Sequence, residues 1–164
     1  MGWSTRAPIA VLLSALAVSM TSAGVLAAGN PDRQPFGTPP DVVGPFCGAS
    51  VGDIIGHVAI QREYIKTFTS SNGVTRYMVE GCQQDSFTVV ATGKSISVNA
   101  SGPGVITDYP NGTETLQLFG YTIFVAIPPA EALLLYTGNV VANTSNGTIT
   151  SHKGGVKDLC LQLR

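Results

Sequence analysis

The chain has 164 residues, of which only 12% are charged, and a net charge of −1. Charges this sparse and balanced exclude a nucleic-acid binder or a protein held on an anionic membrane by a basic surface. Hydrophobic residues make up 44% of the chain, enough for a packed core, and 19 glycines with 10 prolines predict a chain rich in turns.

Residues 1–27 have the three parts of a secretory signal. Arg6 is the only charge before Asp32, an apolar run extends from Ala7 to Met20, and small residues follow from Thr21. Val25 and Ala27 suit the −3 and −1 positions, which predicts cleavage after Ala27 or Ala28. The apolar run is shorter than the ~20 residues of a membrane-spanning helix. No cysteine precedes Cys47, so there is no lipoprotein anchor, and Arg6 has no arginine neighbour for a twin-arginine signal. The expectation is a Sec-type signal and a secreted protein with no membrane insertion after cleavage. Cleavage would also remove Trp3, the only tryptophan.

Residues 28–45 hold five prolines and three glycines. That composition opposes regular structure and predicts a flexible leader. Residues 46–164 then read as one antiparallel β domain. Val, Ile, Thr, Phe and Tyr recur in short runs broken by Gly, Asn, Asp and Ser. Ser95 to Ser101 alternates strictly between polar and apolar, as does Thr115 to Leu118. Asn72-Gly73, Asn111-Gly112 and Asn146-Gly147 predict type I′ hairpins, and Thr92-Gly93-Lys94 a further turn. Only Pro128 to Leu133 looks helical, and only briefly. About 8–10 short strands in hairpin succession predict an up-and-down β-barrel, with a β-sandwich as the alternative.

Two stretches complicate the alternation. Tyr121 to Ile127 and Leu133 to Tyr136 are apolar on both faces. They form either a cavity wall or a solidly packed strand, and solid packing is the expectation. Arg62 and Lys66 share parity with Ile60, Tyr64 and Phe68. A β-bulge near Gln61 that resets the register explains this best.

Three cysteines follow the leader: Cys47, Cys82 and Cys160. An oxidising compartment allows one disulfide, and three pairs are possible. Domain termini lie close together more often than not, which favours Cys47 with Cys160. Cys82 is then a possible free thiol, expected to be buried and inert.

Pro45-Phe46-Cys47-Gly48, Thr92-Gly93-Lys94-Ser95, Ser101-Gly102-Pro103-Gly104, Leu135-Tyr136-Thr137-Gly138 and Asp158-Leu159-Cys160 occur in that order. In this the chain resembles a family of small secreted proteins of high-GC Gram-positive bacteria. The resemblance spans roughly residues 45–163. It implies pairing of the first and last cysteines, leaves Cys82 as a departure, and implies no particular activity.

No catalytic motif emerges. Gly48-Ala49-Ser50-Val51-Gly52 has the form of a nucleophile elbow, but that motif needs a strand turning into a helix above a parallel sheet. A proline-rich leader precedes it here, and a strand pattern follows. His57 and His152 have no carboxylate cluster beside them, so no metal site is expected. The acids Asp53, Glu63, Glu80, Asp85, Asp108, Glu114, Glu131 and Asp158 are spread singly. Asn99, Asn111, Asn143 and Asn146 stand in glycosylation sequons, two of them in the Asn-Gly turns. The sequence thus predicts a secreted, non-catalytic module with no cofactor, binding a small lipophilic ligand or a cell-envelope component. The alternatives are a hydrolase using dispersed acids, and an inhibitor or adhesin acting through exposed loops.

Overall fold

The structure is a computed structural model that describes Val11, Leu12 and residues 33–126, 131–144 and 148–164. The predicted cleavage site at Ala27 and Ala28, the residues 128–130 that open the helical stretch, and the Asn146-Gly147 turn lie outside the described residues. In the remainder of that stretch Glu131 has a positive φ of 38°, and Ala132 and Leu133 are extended in a strand. Among the described residues eleven strands share one antiparallel sheet. They are β1 (Val11–Leu12), β2 (Gln34–Pro35), β3 (Val42–Gly44), β4 (Ile54–Thr69), β5 (Thr75–Val89) and β6 (Ser95–Asn99). There follow β7 (Gly104–Asp108), β8 (Glu114–Ala126), β9 (Ala132–Asn143), β10 (Thr148–Lys153) and β11 (Val156–Asp158), then one helical turn, α1 (Cys160–Leu163).

The all-β, antiparallel expectation holds, but the sheet is not closed into a barrel. Its order is β10-β9-β8-β7-β5-β4-β2, and among the described residues no ladder joins the two ends. The edges are covered instead by short strands. β2 and β3 line β4, and β10 and β11 line β9. Short flanking strands protect an edge without requiring closure. The composition of residues 28–45 predicted no regular structure, yet β2 and β3 both come from this segment. Short pairs on an edge ask little of the leader: Pro35 is tolerated at an edge position.

The long strands β4, β5, β8 and β9 each contribute to two regions. Near the hairpin tips β7 bridges β5 and β8, so the sheet is continuous there. Towards the other end β6 replaces β7 on β5, and β6 has no ladder to β8. The sheet therefore forks. Its two arms pack on one core, with Ile54, Phe87, Val89 and Val98 from one arm and Ile123, Val125 and Leu133 from the other. Phe46, Leu159 and Leu163 fill the same core. Cys47 and Cys160 are joined by a disulfide at this end, bridging a sequence separation of 113.

Two local devices set which side chains face inward. The β4–β5 register shifts between Val58 and Ile60. This is the expected bulge: Ile54 and Gly56 point inward before it, and Glu63 after it. The second is the cross-strand pair Gly120–Gly138, with φ of 93° and 100°. Both residues adopt a backbone that L side chains rarely take. The inward set on β8 changes there from Leu116 and Leu118 to Ile123 and Val125. On β9 it changes in step.

The hairpin turns are of a different kind from the predicted type I′. At Asn72-Gly73 and Asn111-Gly112 only the glycine has positive φ. Each asparagine instead accepts a backbone N–H two residues on, from Val74 and Thr113. Longer loops with glycine in the left-handed region serve the same strands.

Candidate functional site

The fork in the sheet leaves a cleft. Its walls are Val79, Ile106, Leu116, Leu118 and Ile123, with Ala100, Gly102 and Gly104 at the point where β6 gives way to β7. Tyr121 and Thr122 line one side, and Phe36 comes across from the leader segment. The Phe36 N–H donates to the Glu63 carbonyl at 2.9 Å, which holds the leader against β4. The volume is about 100 Å³. Small-molecule pockets more commonly reach ~300–1,000 Å³, so only a small ligand or the end of a larger one fits. The apolar segments Tyr121 to Ile127 and Leu133 to Tyr136 thus divide between both readings. Tyr121, Thr122 and Ile123 line the cleft, whereas Val125 and Leu133 are buried in solid core.

Two carboxyl groups line this largely apolar space. Glu63 is 7% exposed and Asp85 4%. Each is served by the glutamine two residues before it. Gln61 Nε2 donates to Glu63 Oε2 at 3.2 Å, and Gln83 Nε2 donates to Asp85 Oδ1 and Oδ2 at 2.8 and 3.0 Å. Gln61 and Gln83 are direct cross-strand partners, so the two acids flank one central amide pair. Burial pushes the Glu63 carboxyl above the usual range; the Gln61 amide works against this, and the charge of Asp85 adds to it. Burial likewise pushes Asp85 up, opposed by the Gln83 amide and by the nearby His57. Buried carboxylates without cationic partners favour their protonated form.

The opposite face of the same hairpin differs in charge. Arg62, Lys66 and Arg76 lie there with Glu80 as the only acid on these stretches of β4 and β5. Lys66 and Arg33 reach Glu80 at 3.1 and 3.7 Å, and Arg33 stacks over the Tyr64 ring at 4.0 Å. Arg62 and Lys66 therefore do not point into the cleft, as the bulge implies. Cys82 is on this outer face, opposite Arg62, and is exposed rather than buried as expected. The tight Glu63–Gly81 pairing and the bulge turn this part of β5 outward to solvent.

The serine reading finds no support in the geometry. Gly48 to Gly52 forms turns that lead into β4, with no helix after Ser50. His57 Nδ1 meets Asp41 Oδ1 at 2.7 Å on the surface. Ser86 lies directly across the ladder from His57, but its hydroxyl donates to the His57 backbone carbonyl at 3.5 Å, away from the ring. A nucleophile must hydrogen-bond the base itself. His152 packs edge-on against Tyr136, ring centroids 4.9 Å apart. Among the described residues no group of His, Cys, Asp or Glu is placed to hold a metal ion.

Sequence reasoning treated Glu63 and Asp85 as scattered acids. The signal that would have found Glu63 was the bulge. A register reset near Gln61 not only sends Arg62 and Lys66 outward; it also turns Glu63 inward. The repeated Gln-x-acid spacing, Gln61 with Glu63 and Gln83 with Asp85, was a second sign. No protein-family model, no curated protein and no solved structure matches the chain.

Proposed function

We propose that this is a secreted, non-catalytic binding protein that takes a small lipophilic ligand into the cleft at the fork. The observation that carries the reading is a largely apolar hollow between the strands at the fork. Interiors of this size seldom keep such space unfilled, because each missing contact lowers stability. At about 100 Å³ the cleft suits a single ring or a short alkyl chain. Export is part of the proposal. It is supported by the signal-like residues 1–27 and by the Cys47–Cys160 disulfide, which persists in an oxidising compartment. No described helix is long and apolar enough to cross a membrane.

The burial of Glu63 and Asp85 in one cleft lining favours a second reading, a hydrolase using two acids. Such enzymes need one carboxyl protonated and the other ionised. Here burial raises both, and each acid is held by the glutamine two residues before it, with no substrate-facing nucleophile or base beside them among the described residues. The binding reading is therefore preferred.

Native mass spectrometry of the protein recovered from culture supernatant tests the proposal. The expected result is a chain beginning at Ala28 or Gly29, two hydrogens lighter for its disulfide, that takes up benzene or hexanol stoichiometrically. Ala100→Leu, which fills the cleft, should abolish the uptake. Retention of residues 1–27, or no uptake by the unmodified cleft, would overturn the proposal in its export or its binding part respectively.

A further inference from the structure

The chemistry of the cleft floor says more than its shape. A purely neutral lipophile has no use for two buried carboxyls; apolar side chains at both positions would receive it better. Neither Lys nor Arg is among the residues that line the cleft. The only donors that the described residues offer to Glu63 and Asp85 are the uncharged amides of Gln61 and Gln83. The cleft thus presents two carboxyls as acceptors and no charged donor.

Resting on the lipophile reading above, we propose that the ligand is a small amphiphilic amine whose ammonium group sits between Glu63 and Asp85. An ammonium has three donors and no acceptor, which complements that floor. Its alkyl or aryl part would lie against Leu116, Leu118 and Ile123. Hydrogen bonds between ionised partners are about twice as strong as neutral ones. The cation would also supply the counter-charge that burial denies the two acids. His57 is the one other titratable group that Asp85 senses, and it lies on the outer surface, held by Asp41. It does not compete for the floor.

Isothermal titration of the disulfide-bonded protein at pH 7 with matched pairs tests this: hexylamine against hexanol, and benzylamine against benzyl alcohol. The expected result is at least tenfold tighter binding of each amine. Glu63→Gln with Asp85→Asn should bring the amine-to-alcohol affinity ratio to about one. The single variant Glu63→Gln should give an intermediate ratio and guards against misfolding of the double variant. Equal affinity of amine and alcohol in the unmodified protein would overturn the amine inference and leave the lipophile reading standing. Binding of neither compound would overturn both.

Discussion

The disulfide end and the cleft end of the sheet share the strands β4, β5, β8 and β9, yet they bury different chemistry. At the disulfide end two arms close on Ile54, Phe87, Val125 and Leu133, and Cys47–Cys160 ties the first and last parts of the domain together. Among the described residues the buried charged side chains are Glu63 and Asp85, and both line the cleft. At the cleft end β4, β5 and β8, now with β7, enclose Glu63, Asp85 and a hollow. One region has its contacts filled and cross-linked; the other gives up packing and desolvates two acids. Stability and binding have been assigned to opposite ends of the same strands, and the changeover falls at the β4 bulge and the Gly120–Gly138 pair.

The comparison is broken most severely at the disulfide. Replacing Cys47 and Cys160 by Ala should cost up to ~4–5 kcal/mol, the loop-closure entropy of a crosslink this long. Urea unfolding should show the loss, with ligand uptake retained in the fraction that remains folded. Packing comes next. Leu133→Ala, at 0% exposure, should cost about 2–5 kcal/mol, the range for emptying a core site. Leu118→Ala, half-buried on the cleft wall, should cost only about 1–2 kcal/mol because it empties less contact. Similar losses for the two would erase the distinction between filled and hollow ends.

The acids sharpen the comparison through pH. Burial holds Glu63 and Asp85 above their ordinary values of 4.5 and 3.8, so the folded protein binds their protons more tightly than the unfolded chain. Stability then falls as pH rises from those ordinary values through the folded ones, and levels off above. Glu80 is shifted the other way by Lys66, but on the surface, where solvent screens it. The informative quantity is the difference between the wild type and Glu63→Gln with Asp85→Asn. Urea midpoints from pH 3.5 to 7 should show the variant gaining on the wild type as pH rises, and at pH 7 it should be the more stable. The smallest effect belongs to the exposed Asp41–His57 pair. Asp41→Asn should change stability by less than about 1 kcal/mol, with no change in ligand uptake.

Much of the disulfide end was legible in the sequence. Alternation marks Ser95 to Ser101, and closeness of domain termini leads to Cys47 with Cys160. The cleft end was harder to read because its features depend on phase. A one-residue bulge reverses the inward set of β4, so the parity that made Ile54 and Val58 look like the core side placed Glu63 outside. In the leader, composition speaks against long elements and not against two- and three-residue edge pairs such as Gln34–Pro35 and Val42–Gly44. Barrel closure was inferred from hairpin succession. It fails because β5 and β9 each take two short partners in tandem, which forks one end of the sheet and caps its edges.

The most direct test of a ligand site at the fork is amide chemical-shift mapping during titration with hexylamine. The account predicts saturable shifts confined to Gln83, Gly104, Leu118 and Thr122 and their strand neighbours, with the amides around Cys47, Leu133 and Cys160 unmoved. Shifts centred on the disulfide end, or none that saturate, would contradict it.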